Sequence, residues 1–556
     1  MKTIKNKSLN NIKFNHILDL TFAAIALILS AISTTIFAFF LAKIIDASIN
    51  LNLKAFKDGI LGAAGTIAFG GFMEYIGHNL RYKYATKTIV DYKSVLIEKI
   101  LGYNFKEFSK NSTTFYLNSL TEEVNEIKIH YYLQFAAILQ NIAQIIFGIV
   151  AIIYINWKFA LFIIILFLIP MIVPGLVAPV LSKRMKSVSN KNERYILIVK
   201  GILDGFEVIK TYNLIPKIKT HFITSAGNLE ESQYKFSKVD NLKDALSVFA
   251  SFLVQMSAIA IGVFFVFKGE MELGLLFGAI QIISGIVGPM TSLAQRVAWI
   301  GGTKSLREKH NDIMNINIET VNKGKHLNSI SEIKATNLDF KYGDTKILSD
   351  IQLKLAKGKK YAVIGPSGSG KSTLLKLLMG YYDDYEGSIL IDDNELRDIK
   401  KESYYEHIVM IHQNVFLFED TFENNIKLYR NIDDNKYKYA VCKANLTDLE
   451  KRAGNESLDV LKDGGVELSG GEKQRIAIAR SLLLNTDFML LDEPASALDP
   501  ENAETLYDTI FSLDDLGVLV VTHNWDDELL NRFDQVIYME NGSLKKIGKW
   551  DDIKDR

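Results

Sequence analysis

The sequence predicts a multi-domain protein, in which a six-helix all-α transmembrane domain is followed by an α/β domain with a phosphate-binding loop. Two observations lead to this fold class. Long uncharged apolar runs lie only before residue 300, whereas the last third contains a glycine-rich loop between a short apolar strand and a helix. A chain of 556 residues is also too long for one hydrophobic core. We therefore expect a membrane domain over residues 1–325 and a soluble domain over residues 326–556.

Composition narrows the classes of function. Hydrophobic residues make up 48% of the chain, which is high for a protein that includes a large soluble domain. Lys plus Arg equals Asp plus Glu at 64 each, so the global charge gives no indication of a nucleic-acid partner. The single cysteine, Cys442, excludes an intrachain disulfide framework and fits a reducing cytoplasm. We expect it to be a small buried residue of a helical segment.

Five apolar runs are long enough to cross a membrane, since a spanning helix needs roughly 20 apolar residues. A sixth run, residues 60–80, is weaker because it contains Glu74 and His78 and is rich in glycine. We include it because an even number of spans is required if both ends of the chain are cytoplasmic. The five strong runs are residues 20–42, 129–157, 159–182, 245–267 and 273–295.

The distribution of Lys and Arg predicts the orientation in the bilayer. The amino terminus and the segments 81–128 and 183–243 are basic, whereas the links near residues 156–158 and 268–272 are short. The long basic segments should therefore lie on the cytoplasmic side. Because they lack clusters of proline and glycine, we expect helices that leave the membrane and return. The result is a multi-pass protein of the cell membrane.

A phosphate-binding loop follows the apolar strand at residues 361–364 and precedes a helix, which is the context that such a loop requires. Glycines let backbone N–H groups turn inward on a phosphate, aided by the helix N-terminus. Lys371 should reach the β- and γ-phosphates, and Ser372 should bind Mg²⁺ through its hydroxyl. The predicted ATP-binding residues of the loop are Gly365, Ser367, Gly368, Ser369, Gly370, Lys371, Ser372 and Thr373.

A second motif is an apolar strand that ends in Asp492 and Glu493. The carboxyl ends of parallel strands are where such sheets bind ligands. We expect Asp492 to hold Mg²⁺, directly or through water, and Glu493 is the candidate general base for an attacking water. Acidic residues beyond a strand often form only a solvated turn, but the phosphate loop upstream favours the catalytic interpretation.

A third motif, the run Leu468-Ser469-Gly470-Gly471-Glu472, opens a helix and offers an anion site at its N-terminus. In this order the three motifs resemble the ATPase domain of ATP-binding-cassette (ABC) proteins. The six spans with long intracellular extensions resemble the membrane domain of ABC exporters. Residues 205–212 are similar to the second intracellular loop of that family, where short coupling helices contact the ATPase. The resemblance covers nearly the whole chain and is strongest over residues 331–550.

The resemblance implies further roles. Tyr342 would stack on adenine, and Gln413 would contact Mg²⁺ or water. Asp499 lies in the loop that crosses the dimer interface in this family, and His523 corresponds to the histidine that contacts the γ-phosphate. Residues 469–472 would cap the γ-phosphate that is bound by the other subunit.

Each ATP would therefore lie between two ATPase domains, so a chain with one membrane half and one ATPase half needs a second half-transporter. The catalytic acid and the signature run are both intact, which favours a homodimer. A heterodimer with a partner whose own sites are degenerate remains open.

The cargo has no sequence motif. Glu74 and His78 are four residues apart and share one helical face, as do Gln140 and Gln144 on the third span. Polar residues are costly in lipid and normally face a cavity, so these four are candidate cargo contacts. Hydrogen bonding between helices is the alternative interpretation for the glutamines.

Three functions are compatible with these motifs. The first is the ATP-driven export of amphipathic or hydrophobic compounds such as drugs, lipids or peptides. The second is import on the same fold, with siderophore-type cargo. The third is a non-pumping, ATP-regulated membrane module. A soluble ATPase acting on DNA or ribosomes is excluded by the six spans, so we expect no nucleic-acid partner.

Overall fold

The computed structural model describes residues 15–315, 324–453, 468–484, 486–496 and 498–554. The basic amino terminus at residues 1–14 and part of the polar linker, residues 322–323, lie outside this described part. The chain divides into two compact units, Met1–Leu101 with Ser112–Asn315, and Gly102–Asn111 with Ile316–Arg556. The domain boundary at residue 325 stays a prediction, because residues 316–323 are not described.

The first unit is built from α-helices, one of which is interrupted by a π-helical turn at Lys128–Tyr132. The short helix Phe105–Phe108, labelled α3 below, lies between the two segments of the first unit and belongs to the second unit. In chain order the helices are α1 (Ile17–Ile49), α2 (Leu53–Leu101), α3 (Phe105–Phe108), α4 (Thr113–Leu120), α5 (Glu122–Ile127), α6 (Gln134–Ile155), α7 (Trp157–Leu166), α8 (Leu168–Asp204), α9 (Phe206–Thr211), α10 (Ile215–Phe267), α11 (Leu273–Gly302) and α12 (Lys304–Asn315).

Six helical stretches in the described residues are long and apolar enough to cross a membrane, which confirms the prediction of six spans. The weak second run is one of them. Several stretches continue far beyond the apolar segment, as predicted for the two basic regions. The stretches are Ile17–Ile49, Leu53–Leu101, Thr113–Ile155, Trp157–Asp204, Ile215–Phe267 and Leu273–Asn315.

The two predicted short links contact each other. Asn156 alone separates α6 from α7, and its side chain caps α7 by accepting a hydrogen bond from the Phe159 N–H at 3.0 Å. The Asn156 amide also donates to the Glu270 backbone carbonyl at 3.1 Å. The Lys158 ammonium lies 2.9 Å from the Glu270 carboxylate. These contacts join the link between the third and fourth spans to the link between the fifth and sixth.

Small residues bring α1 and α11 close together. A Cβ atom on Gly278 would lie 2.8 Å from the Ala38 carbonyl oxygen, so only glycine allows this approach. At the end of α1 the Asp46 carboxylate accepts a hydrogen bond from the Gly274 N–H at 2.8 Å. Close backbone approach at small residues is a common way for membrane helices to associate.

The second unit contains two sheets. The six-stranded sheet has the order β10-β9-β3-β8-β7-β6, and its strands are parallel except for β10. The four-stranded antiparallel sheet has the order β2-β1-β4-β5. The strands are β1 (Glu332–Tyr342), β2 (Thr345–Ala356), β3 (Lys360–Ile364), β4 (Glu386–Ile391), β5 (Asn394–Glu395), β6 (Ile408–Ile411), β7 (Phe488–Asp492), β8 (Gly517–Val521), β9 (Gln535–Glu540) and β10 (Ser543–Gly548).

Helices pack on the parallel sheet, so every residue of β3 and β8 is buried. This burial explains why both strands are almost continuous apolar runs. The α-helices of the second unit that follow β1 in the chain are α13 (Lys371–Leu378), α14 (Lys401–Tyr404), α15 (Phe422–Lys427), α16 (Asp434–Lys443), α17 (Thr447–Ala453), α18 (Gly470–Leu483), α19 (Pro500–Phe511), α20 (Asp527–Asn531) and α21 (Trp550–Ile553).

The second unit also holds α3, the short helix that follows the intracellular end of α2. The Phe105 ring stacks on Tyr381 with 3.7 Å between ring centroids, and Lys106 lies 2.9 Å from Asp384. A segment from between the second and third spans is thus part of the ATPase unit. The resemblance led us to expect such a short helix at this end of the long intracellular helices.

Cys442 is exposed, so the expectation of a buried cysteine is wrong. The residue does lie in a helix, α16, as expected. The buried face of that helix is formed by Tyr437, Ala440 and Val441. One further residue turns the side chain by about 100° around the helix axis, which places Cys442 on the solvent side.

Candidate nucleotide-binding site

The phosphate-binding loop connects the buried strand β3 to α13. Gly365 has a φ of +151°, and a Cβ atom there would lie 2.0 Å from the Met539 carbonyl oxygen. Gly370 has a φ of +98°, and a Cβ atom there would lie 2.7 Å from Leu348 Cδ2. Both positions therefore favour glycine for backbone conformation, and the Met539 backbone also leaves no space for a side chain at Gly365. The constraint keeps the loop tight against the end of the sheet.

Buried polar groups of the loop are suited to an anion. Lys371 is buried, and its ammonium donates to the carbonyls of Gly365 and Pro366, both at 2.9 Å. Burial lowers the pKa of Lys371, and the nearby carboxylates of Glu493 and Asp492 act against that shift. The Ser369 hydroxyl is buried without a hydrogen-bond partner among the described residues. A desolvated ammonium and an unpaired hydroxyl would both be satisfied by phosphate oxygens.

The remaining predicted loop residues lie at its rim. Ser367 and Gly368 are exposed, and Thr373 is half-buried at the start of α13. Tyr342 ends β1 and is 38% exposed, with its ring 4.9 Å from Phe340 and 5.5 Å from Tyr382. Burial, and then the neighbouring Tyr382, raise the pKa of Tyr342 to about 12, so its phenol stays neutral. An exposed, neutral aromatic ring is chemically suited to stack on a base.

Ser372 and Asp492 meet where β7 ends. The Ser372 hydroxyl donates to the Asp492 carboxylate at 3.0 Å. Burial raises the pKa of Asp492, because the charged form has lost water, and the Ser372 hydrogen bond opposes this shift. Two oxygen ligands of this kind fit Mg²⁺, which binds through one or two carboxylates together with substrate phosphates. The described residues contain no cluster of three or more His, Cys, Asp or Glu that could hold a metal by itself.

Glu493 and His523 are brought together by neighbouring strands. Asp492 on β7 is in register with Val521 on β8, so the residues that follow both strands lie at one edge of the sheet. The Glu493 N–H donates to the Val521 carbonyl at 3.0 Å, and its backbone has a φ of +51°. The Glu493 carboxylate lies 2.8 Å from the His523 Nε2 atom. A left-handed backbone at a non-glycine residue is strained, and such strain often marks a functional position.

Gln413 is linked to the same acid. The side-chain amide of Gln413, just beyond β6, donates to the Ser496 hydroxyl at 3.0 Å. That hydroxyl donates to the Glu493 backbone carbonyl, also at 3.0 Å. Because the amide nitrogen is used in this way, the amide oxygen of Gln413 remains available to a cation or a water. The structure thus brings Gln413, Asp492, Glu493 and His523 to one edge of the sheet, next to the loop.

The predicted signature run forms a second cluster. Ser469 caps α18 by accepting a hydrogen bond from the Glu472 N–H at 3.2 Å, and the Glu472 carboxylate accepts from the Ser469 N–H at 2.8 Å. This capping box uses a lone pair of the Ser469 oxygen and leaves its proton for an anion. Gly470 is exposed at the first position of the helix.

The neighbouring loop adjoins this cluster. Gly471 lies beside this loop, since a Cβ atom on it would be in van der Waals contact with Leu498 Cδ2 at 3.4 Å. The next residue, Asp499, caps α19 and accepts from the Asn502 side-chain amide at 2.6 Å. Ala497, which belongs to the same loop, lies outside the described residues.

Sequence reasoning missed a residue that joins the two clusters. The Gln474 side chain, buried on α18, donates to the backbone carbonyls of His412 at 3.2 Å and Gln413 at 2.9 Å. It therefore fixes the backbone that carries the Gln413 side chain to the signature helix. The sequence did offer one indication of this contact, because Gln474 is a polar residue within the buried, largely apolar face of α18.

The four candidate cargo residues of the spans are all at least partly exposed. Glu74 is exposed and lies 3.5 Å from His78, and Ser30 donates to Glu74 at 3.5 Å. Gln140 and Gln144 are half-exposed on α6. Nearby, Gln134 on α6 accepts a hydrogen bond from Arg296 on α11 at 2.7 Å, which is a contact between helices. The role of Glu74, His78, Gln140 and Gln144 in cargo binding stays a prediction.

Comparisons with known proteins agree with this architecture. Residues 20–290 match the family described as the ABC transporter transmembrane region, and residues 348–496 match the ABC transporter family. The chain belongs to the ABC transporter family, as a half-transporter in which a membrane domain is fused to an ATPase domain. It is thus an ATP-driven, multi-pass membrane transporter whose ATPase domain binds and hydrolyses ATP on the cytoplasmic side and which acts as a dimer.

Particular relatives cover almost the whole chain. The ATP-dependent lipid A-core flippase of Yersinia pestis is 27% identical over 547 residues, which are 95% of this chain and 91% of the relative. The protein of the same name from Francisella tularensis subsp. holarctica (strain LVS) is 23% identical over 89% of this chain and 83% of the relative. The structure of a bacterial Atm1-family ABC exporter with ATP bound has a TM-score of 0.81 at 20% identity. It covers 97% of this chain and 96% of that one, which establishes the exporter fold.

Proposed function

We propose that the chain exports amphipathic compounds, lipids foremost, across the cell membrane as an ATP-driven homodimer. One observation carries this proposal: the Ser372–Asp492 and Glu493–His523 contacts, which we assign to the hydrolytic site, occur in the same chain as six apolar spans. The names of the flippase relatives support lipids as the first class of cargo to test. No feature of the described residues favours import or a non-pumping role.

The proposed ATPase chemistry assigns a role to each group. The glycine loop with Lys371 and Ser369 binds the phosphates, and Tyr342 stacks on the adenine. Ser372 and Asp492, with Gln413 nearby, would hold Mg²⁺, which would neutralise phosphate charge. Glu493 accepts the proton of the attacking water, and His523 orients that carboxylate and contacts the γ-phosphate.

A homodimer is supported because one chain carries both halves of the proposed ATP site. It carries both an intact catalytic acid, Glu493, and an intact signature serine, Ser469, so two identical copies would form two working sites. The short helix α9, between α8 and α10, also offers Phe206 and Val208, which are 61% and 53% exposed. An exposed apolar surface is suited to dock on a second chain.

Transport into inverted membrane vesicles tests the proposal. Vesicles with wild-type protein are incubated with ATP and an extract of the host's own lipids and metabolites, and Glu493→Gln vesicles serve as the matched control. Compounds that accumulate only with the wild type establish export and identify the cargo. Loss of compounds from preloaded vesicles would instead mean import. Co-purification of two differently tagged copies tests the homodimer, and retention of only one tag would contradict it.

A further inference from the structure

A polar groove runs between α10 and α11, the fifth and sixth spans. It encloses about 610 Å³. Ser247, Ser251 and Gln255 are spaced four residues apart and share one face of α10, while Ser284 and Thr291 face them from α11. Val248, Phe252, Ile283 and Val287 add an apolar wall. The groove therefore has the mixed lining that is typical of a site for an amphipathic small molecule.

The hydrogen bonds of this lining have a consistent direction. The Ser247 hydroxyl donates to the Lys243 carbonyl at 2.8 Å, and the Ser251 hydroxyl donates to the Ser247 carbonyl at 2.7 Å. The Thr291 hydroxyl donates to the Gly288 carbonyl at 2.9 Å. Each of these protons is used on the helix backbone, so the oxygen presents only lone pairs to the groove.

Gln255 and Asp244 add to the same pattern. The Gln255 amide nitrogen donates to the Ser284 hydroxyl at 3.0 Å, which leaves its carbonyl oxygen as an acceptor. Asp244, at one end of the groove, adds a carboxylate. Lys243 lies 2.6 Å from Asp240 and 3.3 Å from Asp244, so one ammonium is shared between two acids. One ammonium and two carboxylates leave a negative charge at this end of the groove. The Ser284 hydroxyl and the second N–H of the Gln255 amide are the remaining donors of the lining, and the acceptors outnumber them.

Arg296, the arginine of α11, does not contribute its charge to the groove. Arg296 donates to Gln134 on α6, and Ser292, four residues before it, contacts Asn141 on the same helix at 2.8 Å. Those residues form a different face of α11 from Ser284 and Thr291. Polar side chains exposed on a spanning helix are costly in lipid, so the groove is expected to face a water-accessible cavity of the membrane domain.

We propose that this groove is a cargo site for an amphiphile with a donor-rich, non-anionic headgroup, such as one carrying several hydroxyls or a primary amine. The inference rests on the proposed export function and narrows its cargo. Hydroxyl and ammonium protons complete the unused acceptors of the lining, whereas a phosphate supplies only further acceptors and a negative charge beside Asp244. The apolar wall receives the adjoining part of the chain.

The test uses three probes whose hydrocarbon chains have equal length: a glucosyl diacylglycerol, a long-chain alkylamine and a phosphatidylglycerol. Wild type is compared with Gln255→Leu and Ser251→Ala, and Ser257→Ala is the matched control because Ser257 lies on the same helix but outside the groove. In nanodiscs, the glucolipid or the alkylamine should stimulate ATP hydrolysis. Gln255→Leu should raise the half-maximal concentration about tenfold, as expected for the loss of one to two hydrogen bonds. Ser257→Ala should leave the half-maximal concentration unchanged.

Accessibility is measured with Ser284→Cys in a Cys442→Ser background. The new thiol should react with a maleimide, and the stimulating probe should slow this reaction. An unreactive thiol, in the presence or absence of nucleotide, would mean that the second copy covers the groove and would overturn the proposal. A preference for phosphatidylglycerol, or equal shifts in Gln255→Leu and Ser257→Ala, would overturn it as well. If the probe protects the thiol but the vesicles move nothing, the export function fails and the site stands.

Discussion

The substitution Glu493→Gln provides the most direct test of the hydrolytic site. The glutamine keeps the size of the side chain and the backbone strain at this left-handed position, so the loop should keep its shape. An amide oxygen can still contact His523, which now lies 2.8 Å from the carboxylate. The variant loses only the ability to accept a proton from water. We therefore expect ATP to bind and turnover to fail.

The expected magnitude follows from the chemistry. General-base catalysis contributes about 10²–10⁴-fold to a rate, which corresponds to roughly 3–5 kcal/mol in the activation free energy. We expect the turnover number to fall by at least about 100-fold, with the apparent affinity for ATP within about threefold of wild type. A mutation that disturbed the phosphate loop would instead weaken binding and turnover together.

The assay is steady-state phosphate release in nanodiscs, with binding of a fluorescent ATP analogue measured on the same samples. His523→Ala is the companion variant, and its loss of turnover should be smaller because the base itself remains. Hydrolysis by Glu493→Gln within about threefold of wild type would refute the assignment of the base, since proton acceptance would then have to lie elsewhere. Loss of nucleotide binding would refute the argument that the loop keeps its shape.

Four further predictions concern single positions. Gly370→Ala should strongly weaken nucleotide binding in the same fluorescence assay, because an alanine rarely adopts a φ of +98° and its Cβ atom would also displace Leu348 Cδ2; normal binding would contradict this. Ser469→Ala should remove a helix cap worth about 1 kcal/mol and lower hydrolysis while ATP still binds, whereas Ser469→Thr should restore much of it. His310→Leu should lower the thermal midpoint in detergent, because the buried ring contacts Tyr92 at 2.8 Å and Glu123 at 2.9 Å; an unchanged midpoint would contradict it. Cys442 should react with one maleimide per folded chain, and a reaction that requires denaturant would contradict its exposure.

The residues of the proposed hydrolytic site could be selected from the sequence because its motifs are local. A buried strand that ends in Asp492 and Glu493 has one plausible chemistry once a phosphate loop precedes it in the chain. The contact of Glu493 with His523 required one further step, namely that β7 and β8 are neighbours in register. Gln474 could not be predicted, since its partners are backbone carbonyls of a loop more than 60 residues earlier. Their proximity depends on tertiary packing alone.

The six spans were equally predictable, whereas the surfaces between them were not. Hydropathy identifies a spanning helix by its average, and serine or threonine hardly changes that average. Ser247 and Ser251 therefore stayed unnoticed within an apolar run, while Glu74 and His78 were obvious because a charge interrupts the pattern. Helical spacing then predicted which residues share a face, but not which helix that face meets. The groove forms only because α11 packs beside α10, which brings the hydroxyl groups of the two helices together.

The two clusters of the ATPase unit have complementary hydrogen-bonding requirements. Lys371 and Ser369 surround a place for phosphate with donors, and burial of Lys371 has already removed its water, so the phosphates of ATP would satisfy groups that are otherwise costly. Ser469 caps its helix with a lone pair and leaves its proton unused by the cap, so the hydroxyl can still donate to an anion. The terminal phosphate of an ATP held by a second copy would provide that anion. ATP would thus hold two copies together, and hydrolysis would release them because the cleaved phosphate no longer connects the loop to the partner's serine.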